Sequence, residues 1–218
     1  MSFYTDAQRD LQDQFETRAL ADRLGDTIVT DAIDPELHEP FIASRDYFFL
    51  STVSSEGEPT VSYKGGGVGI VTVVDPTTIA FPIYDGNGMF LSAGNVASSA
   101  KIGLLFIDFE TPNRVRVQAT ATVSADDPLM ARYPGALLVV RGHVDRVFLN
   151  CARYIHTHTR VAASPYVPDA AGAQPYPCWK RIDFVQDVLP PHDQGRAERE
   201  GGLITVDEYG ARLAAGES

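Results

Sequence analysis

Apolar and polar residues alternate most regularly over Asn113–Ser124, where Val115 and Val117 point one way and Arg114, Arg116 and Gln118 the other. A period of two is the signature of a strand with one face on a core. Ile102–Phe109 is instead almost continuously apolar, as expected of a strand covered on both faces. Tyr47–Val53, Thr60–Lys64, Val68–Val74, Thr78–Phe81 and Ala136–Phe148 also read as strands, the last interrupted at Arg141-Gly142-His143. Ser54–Pro59 and Asp75-Pro76-Thr77 are turns between them. In the Thr60–Lys64 strand, Ser62 and Lys64 share one face, and Val61 and Tyr63 the other.

Helical spacing is confined to the ends and to one insertion. Residues 5–24 predict a single amphipathic helix with a Thr5/Gln8 capping box, a stripe of Leu11, Phe15, Leu20 and Leu24, and a stop at Gly25. Asp34-Pro35-Glu36 opens a short helix burying Leu37, Phe41 and Ile42. A helix over Asn87–Ala97 would pack through Met89, Phe90, Leu91 and Val96, and short helices follow Asp126 and Asn150. Residues 162–178 read as a draped loop, with Trp179, Ile182, Phe184 and Val185 as anchors for the C-terminal stretch. Pro190–Gly202 reads as a mobile charged tail, either a lid or without a role, before a last helix over Thr205–Leu213. Short strands with one inserted helix fit a small barrel, a mainly β (α+β) fold, better than a doubly wound sheet. No Gly-x-Gly-x-x-Gly fingerprint and no internal repeat occurs.

Length then sets the domain expectation: 218 residues can bury one substantial core. The chain is read as one domain, with N-terminal helices over about 5–43, the barrel over 44–149 and a helical and loop segment over 150–218. A formal charge of −11 argues against a nucleic-acid partner, but leaves room for one phosphorylated cofactor held by local positive charge. There is no membrane-length apolar run and no signal-peptide pattern, and two cysteines, Cys151 and Cys178, are too few for a disulfide framework. A cytoplasmic chain with reduced thiols is expected. His156 and His158, two apart, would diverge on a helix, so no metal centre is expected.

The candidate chemistry is that of an anion site. Tyr84-Asp85-Gly86 is a turn signal, Gly88 permits close backbone approach, and a helix start comes next. Unpaired amides and the helix dipole at such a start suit a phosphate, although most such turns bind nothing. Lys64 and the Arg114/Arg116 face add positive charge; the alternative is two ordinary solvated faces. Tyr154 and His156 could line a pocket rim or simply pack, and Cys151 reads as a buried hydrophobe. No Ser-His-Asp or paired-carboxylate arrangement supports hydrolysis.

The order of these segments resembles the FMN-binding split barrel of the pyridoxamine 5′-phosphate oxidase-like family over about Phe41–Thr122. It comprises a strand ending in Lys64, a glycine-rich turn, a helix, the strand Gly103–Glu110 and an Arg114-x-Arg116-x-Gln118 strand. The resemblance implies FMN at a homodimer interface. One subunit would offer Val61, Ser62, Tyr63, Lys64, Phe81, Pro82, Asn87 and Gly88; its partner would offer the strand bearing Arg114 and Arg116. It further implies an FMN-dependent oxidoreductase that moves hydride between a small substrate and flavin. Tyr154, His156 and Trp179 are candidates on the substrate side, and no catalytic residue is singled out. The alternatives are a non-catalytic flavin-binding or sensing protein, or a split barrel using F420 or haem. Two departures are visible. Asn87-Gly88 stands where the family's Arg-Lys pair would meet the phosphate, and nothing after Trp179-Lys180-Arg181 reproduces the family's C-terminal basic segment. The substrate pyridoxamine phosphate is therefore not carried over.

Overall fold

The computed structural model describes residues 3–217; Met1, Ser2 and Ser218, the ends of the expected single domain, lie outside them. The chain forms two compact units, one of residues 3–162 with 170–172, the other of residues 163–169 with 173–217.

The first unit is an antiparallel sheet of eight strands. These are β1 (Val29–Thr30), β2 (Tyr47–Val53), β3 (Pro59–Gly65), β4 (Thr72–Asp75), β5 (Thr78–Tyr84), β6 (Lys101–Asp108), β7 (Asn113–Ser124) and β8 (Ala136–Leu149). The order is β3-β2-β6-β7-β8-β5-β4, with β1 added to β8. β3 and β4 are thus the ends of the main path. Alternation on β7 puts Val115 and Val117 in the core, 0% and 1% exposed. They pack with Phe48, Leu50, Phe81, Phe106, Val140 and Val147. Phe48 meets Phe81 edge-on at 5.0 Å and Phe106 at 5.8 Å, separations at which aromatic rings attract.

Several local expectations are corrected. β8 runs straight through Arg141-Gly142-His143. A Cβ on Gly142 would stand 3.2 Å from both Ala119 and Ile79, so glycine here permits close packing and does not break the strand. β6 alternates between buried and half-buried, and is not covered on both faces. The single N-terminal helix is two, α1 (Asp6–Gln14) and α2 (Arg18–Ile28). Thr5 and Gln8 do form the capping box, but the chain turns at Glu16, whose φ is +56°, and α2 continues past Gly25. The stripe of Leu11, Phe15, Leu20 and Leu24 is exposed. Asp34 caps a turn by accepting from the Glu36 and Leu37 amides, and helix α3 comes after it at Glu39–Ala43. It buries Ile42, while Leu37 faces out. Of the Val68–Val74 run, only Val73 and Val74 join Thr72 in β4. The segment after Asn150 is irregular and not the expected helix: Tyr154 has φ +71°, and the Arg153 amide donates to Cys151 Sγ.

The second unit has its own small core of Cys178, Ile182 and Ile204, with Trp179, Val185 and Tyr209 against it. Helix α5 is Arg196–Arg199, and helix α6, Val206–Ala215, is capped by a reciprocal Thr205/Glu208 pair. The expected loose tail is anchored. Lys180 Nζ donates to Asp193 Oδ2 at 2.7 Å, with both side chains nearly inaccessible, and the Arg181 guanidinium donates to the Gly201 and Gly202 carbonyls.

Candidate functional site

β3 carries the first half of the site, and its faces fall opposite to the simplest expectation for a strand. The aliphatic and aromatic residues look outward, Val61 and Tyr63 being 70% and 61% exposed, while Thr60, Ser62 and Lys64 are half-buried. The cause is hydrogen bonding to the neighbouring strand and to helix α4 (Leu91–Ser99). Thr60 Oγ1 lies 2.8 Å from Thr52 Oγ1, which accepts from Asn95 Nδ2 at 3.0 Å. Ser62 Oγ lies 3.1 Å from Ser92 Oγ, and Ser99 Oγ donates to the Val53 carbonyl. A row of hydroxyls thereby satisfies a face that apolar side chains would otherwise fill.

Lys64 continues that row opposite Phe48, which is wholly buried. Burial pushes the Lys64 ammonium below its ordinary value, and among the described residues no neighbouring carboxylate opposes the shift. A half-desolvated cation without a counter-charge is the observation expected of an anion site. The second observation is the start of α4. Phe90 is its N-cap, in the left-handed region at φ +49°, and makes no side-chain cap bond. The first-turn amides lack a side-chain acceptor, and Ser92, nearly buried, sits among them facing Ser62. The helix start, with the amides that an anion seat would use, is thus at Leu91–Ala93 and not at the expected Asn87. Asn87 spends its side-chain oxygen on the Met89 amide in a local turn, and Met89, Phe90 and Leu91 are exposed instead of packing. Sequence reasoning missed Ser92; its recurrence with Asn95 and Ser99 at helical spacing was the available signal.

The second half lies on the other face of the sheet. Cross-strand partners share a face, and Tyr63, Phe49, Leu105, Arg116 and Phe148 form one continuous row. Arg114 lies in the adjacent row, opposite Ile107. Tyr63 stacks on Tyr47 at 5.3 Å. Within one chain, Lys64 and the arginines are thus separated by β2 and β6 and face opposite ways, and the chain alone does not bring them together. Phe81 and Pro82 are buried in β5, so Phe81 serves the core. Tyr154 is 88% exposed and His156 is also exposed, while Trp179 packs in the second unit. Among the described residues, no three His, Cys, Asp or Glu side chains converge on a metal position. Among them, too, no helix is long and apolar enough to cross a membrane.

These residues suit a ligand with an anionic group and a second, planar or polar part. Among solved structures, the chain is similar to HupZ of Group A Streptococcus (18% identity, TM-score 0.45, covering 58% of this chain and 99% of that one). It is similar to HutZ, the haem storage protein of Vibrio cholerae (20%, 0.41, 54% and 94%), and to an FMN-binding protein of Syntrophomonas wolfei (12%, 0.39, 65% and 97%). No curated protein matches it. The model of the family described as pyridoxamine 5′-phosphate oxidase matches residues 34–150, more than half of the chain and the whole of β2–β8. The chain therefore belongs to the pyridoxamine 5′-phosphate oxidase family and has its split-barrel fold.

Proposed function

We propose that the protein binds FMN and works as a cytoplasmic oxidoreductase on a small molecule, as a homodimer with two equivalent sites. The observation that carries this reading is Lys64, a half-buried ammonium without a counter-charge among the described residues, on the same face of β3 as Ser62, which meets Ser92 in the first turn of α4. Lys64, Ser62, Ser92 and the first-turn amides would hold the phosphate by charge-assisted hydrogen bonds. The same geometry supports the dimer reading. Arg114 and Arg116 reach a ligand at Lys64 only if a second copy presents its outer sheet face, and a C₂ pair would build the site twice. When bound, FMN supplies the redox chemistry, accepting or releasing a hydride. The chain's part would be to fix the phosphate, place positive charge near the ring from Arg116, and shield the ring with the half-buried Leu105 of the same row.

A second reading, flavin binding without turnover, is favoured by one observation: Tyr154 and His156 stand in solvent and gather no substrate site within the described residues. The visible spectrum of the purified protein tests the cofactor. Flavin bands support the proposal, whereas a Soret band or a deazaflavin spectrum would assign haem or F420 instead. Light scattering with FMN counted per chain tests assembly, and a monomer retaining one FMN tightly would sink the shared site. Loss of bleaching under every reductant and donor tried would leave the binding reading in place of the enzyme.

A further inference from the structure

Helices α1 and α2 lie outside the stretch that the family model matches, and among the described residues neither contributes a buried side chain. They are nine and eleven residues long, and helices of that length are marginal in water unless a face of each is packed. What joins the two is polar. Arg9 pairs with Asp22 at 2.6 Å, Arg18 pairs with Asp13, and the Tyr4 hydroxyl donates to the Ala21 carbonyl at 2.9 Å. Each helix also has an uncovered apolar face: Leu11 and Phe15 are 55% and 67% exposed, and Leu20 and Leu24 are 59% and 41% exposed.

The surroundings of those leucines are uncharged. Three and four positions from Leu11 stand Ala7, Gln8, Gln14 and Phe15; around Leu24 they are Leu20, Ala21, Thr27 and Ile28. A protein with a formal charge of −11 repels its own copies over most of its surface. A neutral apolar face is where two copies can meet without that cost, whereas a partner of opposite charge would be met by charge at the rim. We propose that the α1–α2 hairpin docks on the same hairpin of a second copy, a four-helix contact across a two-fold axis in which one patch meets itself. This rests on the homodimer reading above and deepens it, because the hairpin adjoins the sheet face which that reading gives to the partner. Phe3, leading into α1, meets Phe148 edge-on at 5.6 Å, and Phe148 belongs to the row that carries Arg116. The contact joins the copies whether or not a ligand is bound.

Sedimentation of the whole apo-protein over a dilution series tests this, with two double variants: Leu11→Glu/Leu24→Glu and Leu11→Lys/Leu24→Lys. Glutamate and lysine both favour helix and both sites are exposed, so each variant should keep the native circular dichroism. By symmetry each substitution enters the contact twice, so either variant alone should raise the dissociation constant of the dimer about a hundredfold or more. An equimolar mixture of the two should recover a dimer of mixed composition, carboxylates of one hairpin meeting ammonium groups of the other. A hairpin that covered any other surface of its partner would give no such recovery. Hydrogen exchange on the native protein is the second readout, and decides if the variants do not fold: amides of residues 6–28 should lose protection on dilution into monomers. A native dimer whose hairpin exchanges freely, variants that associate as the native chain does, or weakened variants that mixing fails to rescue would overturn the contact while sparing the homodimer. A native protein that is monomeric at every concentration would overturn both.

Discussion

Lys64→Met separates the charge of Lys64 from its methylene chain. The ammonium is half-buried opposite Phe48, and among the described residues no carboxylate offsets its desolvation. Methionine keeps the apolar stem and removes the cost, so the apo-protein should gain on the order of 1 kcal/mol. For a chain of this size that is a rise in Tm of about 2–4 °C. FMN affinity should move the other way. One charge-assisted bond to phosphate is worth about 1.5–3 kcal/mol, so Kd should rise roughly ten- to a hundredfold, with riboflavin affinity unchanged. Thermal melts of apo-protein and flavin titrations on the same preparations measure both. A variant that melts lower than the native protein and binds FMN equally well would refute the reasoning, since Lys64 would then be a structural residue with an unrecognised partner.

FMN affinity should also decline on the alkaline side. In the proposed site Lys64 would bind phosphate as the ammonium, and its pKa is depressed by burial, so affinity should be full below that pKa and lost as pH rises through it, earlier than for an ordinary lysine; Lys64→Met should abolish the dependence. His38 sets an acid limit. It is 2% exposed, its Nδ1 accepts the Asp34 amide, and burial holds its pKa below 6.5 against the opposing pull of Asp34. The unfolded chain therefore takes up the proton first, and stability should be level above pH 6.5 and fall below it by up to about 1.4 kcal/mol per unit, as urea unfolding at two pH values would show. Lys180→Met should cost the second unit about 3–5 kcal/mol by stranding Asp193, towards the low end because Arg196 remains near; a Lys180→Met/Asp193→Leu pair should recover most of it, as Trp179 fluorescence would report. Phe106→Ala, at a wholly buried site, should cost about 3–5 kcal/mol in denaturant melts.

The strands were the most legible part of the sequence, because a face buried along a whole strand writes its period directly, as Val115 and Val117 do on β7. The capping boxes at Thr5 and Thr205 are equally legible in principle, being contacts between residues three apart, and the Thr5 box stands out in the sequence. What failed was decided at long range. Val61 and Tyr63 look like core residues and are not, because the hydroxyls of Thr60 and Ser62 take the inner side of β3, Ser62 meeting Ser92 thirty positions further on and Thr60 meeting Thr52, which accepts from the Asn95 side-chain amide. The start of α4 was misplaced for a related reason: Asn87 closes a local turn, and the left-handed Phe90 postpones the helix to Leu91, a backbone choice no apolar pattern records. The break between α1 and α2 is similar, hanging on a single positive φ at Glu16.

If Ser62 and Ser92 hold a phosphate as proposed, their contact has a consequence for how that seat would meet ions of different charge. The two hydroxyls lie 3.1 Å apart, and either can be the donor. Reversing their order moves two protons by rotation alone and breaks no bond to the chain. Whichever hydroxyl is not donating to its neighbour is free to turn its hydrogen toward a guest. The pair is thus a reversible polarity element: it can give one hydrogen to a fully ionised phosphate, or accept the remaining hydrogen of a singly ionised one. A seat made only of lysine and arginine can do the first and not the second. Across the second ionisation of a phosphate monoester, near pH 6, occupancy should vary more gently than such a seat would give.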